Sequence, residues 1–98
     1  MSKKYSSLDD WKEDFKSKGY YREWSEFILY DVLAFSTTRD LMSEIYEAIR
    51  RRYPDICVDY ILYWGKPKWM HMVRSVLDGL MKKECAQSDG GGKWRRLK

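Results

Sequence analysis

The chain is poor in the residues from which metal and redox sites are built. It has two cysteines, Cys57 and Cys85, and one histidine, His71. Together they fall short of the four tetrahedral ligands of a structural zinc site, so no metal is expected. The cysteines read as reduced, half-buried thiols, and a disulfide stays open only for a hyperthermophile source. Long apolar runs are also missing. Nothing approaches the roughly 18 consecutive apolar residues of a membrane span, and Met1-Ser2-Lys3-Lys4-Tyr5-Ser6-Ser7 lacks a signal-peptide core. The expectation is a cytoplasmic protein with no membrane partner.

Catalytic signatures are scarce as well. There is no Ser-x-Gly nucleophile elbow, no glycine-rich loop followed by Lys-Ser or Lys-Thr, and no His-Glu-x-x-His. Asp9-Asp10 stands at a helix start, where capping and the helix dipole account for it. Gly90-Gly91-Gly92 joins two short strands instead of opening a helix, unlike a phosphate loop. The chain does not read as an enzyme, and no cofactor or small-molecule substrate is expected.

What is present suits one compact domain: 98 residues, 44% hydrophobic and 16% aromatic. The formal charge is +4, and it is unevenly placed. Met1 to Pro54 holds ten Lys and Arg against ten Asp and Glu, whereas Asp55 to Lys98 holds nine against five. A basic carboxyl half is the electrostatic footprint of a polyanion binder, although a solubilising surface has the same composition.

Hydrophobic spacing gives the elements. Ser7 can cap the amide of Asp10, Leu8, Trp11 and Phe15 form a helical stripe, and Gly19 closes that helix. From Tyr21 to Phe35, the recurrence of Trp24, Phe27, Ile28, Val32 and Phe35 predicts a core helix. Ser36 to Asp40 is a polar break; Leu41, Ile45, Ala48 and Ile49 line the next helix, which Arg50-Arg51-Arg52 and Pro54 end. Asp55 to Trp64 fits a strand or a short helix, and the short helix is preferred here. Its aromatics serve packing or a self-association surface.

Pro67 suits the first turn of a further helix. Around that helix Trp69, Val73, Val76, Leu77 and Leu80 gather on one side and His71, Arg74, Ser75, Asp78 and Lys82 on the other. Gly79 inside it points to a close approach by another element. A hairpin with a glycine tip follows, in which Leu97 is expected to pack onto the core and Trp94 over the sheet edge. Met70, Met72 and Met81 read as packing filler.

Four stretches carry a resemblance. They are the helix through Ile28 and Leu33, the helix Asp40 to Ile49, the run Pro67-Lys68-Trp69 through Val73-Arg74 to Leu80, and the close Gly92-Lys93-Trp94-Arg95-Arg96-Leu97. Across Trp24 to Leu97 the chain resembles the amino-terminal winged-helix domain of Mrr-type restriction endonucleases, and small winged-helix proteins of archaea and their viruses. It differs by an extra amino-terminal helix, a longer aromatic linker, and Lys83-Glu84-Cys85 where the family turns through a glycine. The resemblance implies a mostly α fold with a small β-hairpin wing (α+β), a winged helix-turn-helix with residues 1–20 as a helical extension and 21–98 as the winged-helix domain. In that family this domain reads DNA, and the cleaving domain is separate.

The expected function is therefore sequence-reading or nonspecific double-stranded DNA binding, with a transcriptional regulator preferred to a nonspecific DNA coat because the charge is concentrated in one place. A recognition helix over about 67–84 would enter the major groove, with the wing at 85–98 on the backbone. Lys68, His71, Arg74 and Ser75 are the candidates on the helix, with Arg74 the best one for a bidentate guanine contact. Lys66, Lys93, Arg95 and Arg96 are candidates for phosphate. Each has a duller reading as solvated surface. Trp69 and Trp94 read as core residues before base-stacking platforms. The alternative is a protein-interaction module using Tyr60-Ile61-Leu62-Tyr63-Trp64 with Trp11 and Phe15. A homodimer through the amino-terminal helix is compatible with either.

Overall fold

The computed structural model describes residues 5–35 and 38–98, the Met42 side chain excepted. The polar break's Ser36 and Thr37, and Met1 to Lys4, lie outside the described residues. Helix α1 spans Leu8–Ser17, with the Ser7 hydroxyl accepting from the Asp10 amide at 3.2 Å as its capping sequence predicts. The chain turns at Gly19 (φ 66) into α2, Tyr20–Phe27, which widens into a π-helical turn at Ile28–Val32. That widening breaks the expected stripe: the helix ends at Leu33, and Phe35, placed on its inner face by periodicity, is 55% exposed. A two-residue strand β1, Arg39–Asp40, falls where the sequence showed a polar break. A second π-helical turn, Leu41–Ile45, runs into α3, Tyr46–Arg52, and buries Leu41, Ile45 and Ile49 as predicted.

The preferred helix over Asp55 to Trp64 is not there. After turns through Pro54 to Tyr60, strands β2 (Leu62–Tyr63) and β3 (Lys66–Pro67) form an antiparallel hairpin. Within the segment only Leu62–Tyr63 is extended, so a strand over the whole of Asp55 to Trp64 does not form either; Gly65, at φ 77, supplies the tight reversal into β3. Helix α4, Lys68–Lys82, buries the five apolar residues expected of it. It closes through Glu84 at φ 60, with the Cys85 amide donating to the Leu80 carbonyl at 2.9 Å.

Strands β4 (Ala86–Gly90) and β5 (Lys93–Arg96) make the glycine-tipped hairpin, and β1 pairs with β5 on its other side, giving the order β1-β5-β4. Trp94 is buried in the core, not laid over the edge, because side chains alternate along β5 and this one points inward. Leu97 does not pack back: it lies beyond the strand and is 43% exposed.

One core joins the helices to the β4–β5 hairpin, and α1 belongs to it. Trp11 stacks on Phe15 at 5.0 Å, Phe15 meets the Trp24 edge at 5.0 Å, and the Trp11 indole donates to the Ile56 carbonyl at 2.8 Å. Trp11 and Phe15 are therefore buried packing residues and offer nothing to a partner, which corrects their place in an exposed aromatic cluster. The fold is α+β, with four α-helices and a small antiparallel sheet among the described residues. No helix among them is long and apolar enough to cross a membrane.

Candidate nucleic-acid interface

The amino end of α4 is fixed by a cluster that the sequence did not announce. Arg50 Nη2 reaches both Asp59 carboxylate oxygens, at 2.7 and 3.0 Å, while the Trp69 indole donates to Asp59 Oδ1 at 3.1 Å and Arg50 lies over the Trp69 ring at 5.3 Å. Arg50 and Asp59 neutralise each other there, and Trp69 is held at the first turn of α4. The Lys68 amide donates to the Ile61 carbonyl at 2.8 Å, which docks the β2–β3 hairpin on the same helix end. A second tie comes from His71, whose Nε2 lies 2.7 Å from the Tyr63 carbonyl; since a carbonyl only accepts, that nitrogen carries the proton.

With the buried face fixed, Arg74, Ser75, Asp78 and Lys82 are exposed along the outer face of α4. A cleft of about 430 Å³ opens beside them, lined by Lys66, Met70, His71 and Arg74 on one side and by Asp40, Leu41, Tyr46 and the Gly91-Gly92 turn on the other. Lys66, His71 and Arg74 thus share one groove. Among the described residues, neither Lys66 nor Arg74 has a carboxylate partner. The first turn of α4 also holds no acidic residue, so its positive dipole end is uncompensated. Arg74 is within electrostatic range of Tyr46, whose hydroxyl is raised by burial while the guanidinium acts the opposite way. The one carboxylate in the lining, Asp40, accepts from the Ser43 amide at 3.0 Å at the start of the second π-helical turn.

Other predicted residues stand differently. Lys68 turns over the Tyr63 ring at 4.3 Å and is half-buried; loss of water lowers its ammonium, the like charge of Lys12 lowers it further, and Tyr63 opposes both. Lys12 is a neighbour that sequence reasoning missed, because only the fold sets α1 across a hollow from the start of α4. Lys93 is exposed at the start of β5, opposite Asp40 in the β1–β5 register and next to the glycine turn that walls the groove. Arg95 is occupied within the wing, with Nη2 3.4 Å from Gln87 Oε1 and Nε 3.3 Å from Asp89 Oδ2 but outside hydrogen-bonding geometry. Arg96 is on the opposite sheet face, over the rings of Tyr30 (4.8 Å) and Phe35 (4.5 Å), and its Nε donates to the Lys98 carbonyl. The structure therefore gathers Lys66, His71 and Arg74, keeps Ser75 and Lys93 on exposed positions of the flanking elements, and separates Arg96 from them.

Both thiols are free; Cys57 is buried and Cys85 half-buried. Burial pushes the Cys57 thiol up to about 12. Among the described residues no three His, Cys, Asp or Glu side chains come together in a way that could hold a metal ion. No family model, curated protein or solved structure matches the chain.

Proposed function

We propose that the protein is a winged helix-turn-helix binder of double-stranded DNA, acting as a transcriptional regulator. In this reading α2, α3 and α4 are the three helices, β1 is the strand between the first two, and β4–β5 is the wing. The order α2-β1-α3-α4-β4-β5, into which the β2–β3 hairpin is inserted between α3 and α4, and the β1-β5-β4 sheet support it. The observation that carries the functional part is the groove between α4 and the glycine turn, where Lys66, His71 and Arg74 converge without ion-pair partners among the described residues.

A major groove admits one helix. The outer face of α4 would lie in it, with Arg74 and Ser75 toward base edges, while Lys66, Lys68 and Lys93 meet phosphates on either side. Arg95 reaches phosphate only by releasing Asp89, and Arg96 has a structural role under the sheet. A polyanion in this place relieves the crowding of cations around the start of α4. The alternative, a protein-interaction module, draws on the exposed Leu62, Tyr63 and Trp64 of the β2–β3 hairpin.

Fluorescence anisotropy with a labelled random-sequence duplex at several salt concentrations separates the two readings. About four phosphate contacts give a log-log salt slope near −4, and a Lys66→Ala/Arg74→Ala variant should bind more weakly with a shallower slope. Absence of binding at low salt by the folded protein removes the DNA reading and leaves the interaction module.

A further inference from the structure

The tip of the β2–β3 hairpin breaks two rules at once. Tyr63 pairs with Lys66, so Trp64 and Gly65 form a two-residue turn, and both have positive φ, 55° and 77°. Such a turn favours Asn-Gly or Asp-Gly, because a bulky side chain in the left-handed region is sterically strained. Trp64 nevertheless occupies the first position. Its side chain gains no burial in return: it is 84% exposed, with the Tyr63 ring edge-on at 6.1 Å, while Trp11, Trp24, Trp69 and Trp94 are all at most 5% exposed. Neither turn preference nor packing accounts for a tryptophan here, and strain held against local preference is a mark of functional positions.

The surroundings define what the ring can meet. The hairpin is locked on α4 through the His71–Tyr63 and Lys68–Ile61 bonds, so the tip projects from a rigid base. From Ile61 to Ser75 the sequence contains Lys66, Lys68, His71 and Arg74 and no acidic residue. Lys66 is exposed one residue beyond the turn and also lines the groove. An exposed indole two residues before the groove-lining Lys66 complements a polyanion that carries flat rings. A hydrophobic protein partner has no use for that charge.

We propose that Trp64 stacks on a nucleobase of the DNA held by α4, with Lys66 on an adjoining phosphate. This rests on the DNA-binding reading above and adds to it a second, sequence-tolerant contact beside the recognition helix. A paired duplex offers no free base face, so the contact forms where a base is unstacked: at a mismatch, a small bubble or a junction with single strand. The hairpin then acts as a wedge that recognises opened DNA.

The test compares the wild type with Trp64→Asn and Trp64→Phe on a perfect duplex and on the same duplex carrying a two-nucleotide bubble. Asn suits the left-handed turn, so the W64N protein should fold at least as stably as the wild type, which a urea titration verifies. The wild type should prefer the bubble by about five- to 150-fold, the range of one base–aromatic stack; W64N should lose that preference and keep duplex binding, and W64F should recover most of it. Trp64 is the one tryptophan open to solvent, so iodide quenching reports on it directly and should fall when the bubble binds. Equal affinities of W64N and the wild type for both DNAs would overturn the wedge and leave the DNA reading intact. Failure of the wild type to bind either DNA overturns both. Loss of a concentration-dependent dimer in W64N, with DNA affinities unchanged, assigns the tip to self-association and likewise overturns it.

Discussion

The Tyr21 hydroxyl stands 2.5 Å from where a β-carbon on Gly79 would lie, and it donates to the Ser75 carbonyl at 3.3 Å. This is why a glycine sits in the middle of α4. Alanine there would gain about 1 kcal/mol of helix propensity and lose a hydrogen bond of similar worth as Tyr21 swings out. Gly79→Ala alone should be close to neutral, whereas in a Tyr21→Phe background it should stabilise by about 1 kcal/mol. Urea unfolding of the four proteins of this cycle measures the coupling, and additive effects would show that the two residues do not share the space.

Arg96 lies over the Tyr30 and Phe35 rings, whereas Arg74 lines the groove. Arg96→Ala should cost about 1 kcal/mol of stability through the lost contacts with Tyr30 and Phe35, and should change duplex affinity less than twofold. The Arg74→Ala protein should show the reverse, near wild-type stability with weakened binding. Urea titration and anisotropy on the same samples check both.

Asp59 links Arg50 to the Trp69 indole. Asp59→Ala leaves a buried indole donor unsatisfied and a guanidinium without its partner, so a loss of roughly 1–3 kcal/mol is expected. Asp59→Asn keeps an acceptor for Trp69 and should lose less. Chemical denaturation of the two variants ranks them, and equal losses would mean that the indole bond contributes nothing.

Alkaline pH should weaken the fold. Cys57, Tyr46, Tyr53 and Tyr5 are all raised above their ordinary values, chiefly by burial, so the folded chain keeps protons that the unfolded chain releases. Their contribution is complete below the ordinary values of 9.0 for the thiol and 10.0 for the phenols, and is lost as pH climbs from there toward the folded values. Lys68, which is lowered, works in the opposite sense, one group against four. The urea midpoint should therefore fall between about pH 9 and pH 12. In the native state at neutral pH, iodoacetamide should label Cys85 and spare Cys57.

The elements set by long apolar periodicity were readable in advance. Both faces of α4, the Ser7 cap and the glycine-tipped hairpin follow from spacing and turn chemistry that act locally. What escaped depended on distant partners. The hairpin over Leu62–Pro67 hid behind an apolar pattern that suits either period, and β1 is a two-residue strand that exists only because β5 is beside it. The site was legible as a basic region but not as a groove. Its far wall is built from Asp40, Tyr46 and Gly91-Gly92, and Arg96 is separated from Arg95 because side chains alternate along β5, which puts Arg96 on the side of Trp94. Trp64 was noticed as one of an aromatic run, while its strained backbone and isolation in solvent belong to the three-dimensional fold alone.

The most direct test of the central claim is an amide chemical-shift titration of the isotope-labelled protein with a short duplex at low salt. Shifts should concentrate at Lys66, His71, Arg74, Ser75, Gly91, Gly92 and Lys93, while α1 stays unchanged. Shifts confined to α1 and α2, or no shifts at all from a folded protein, would contradict it.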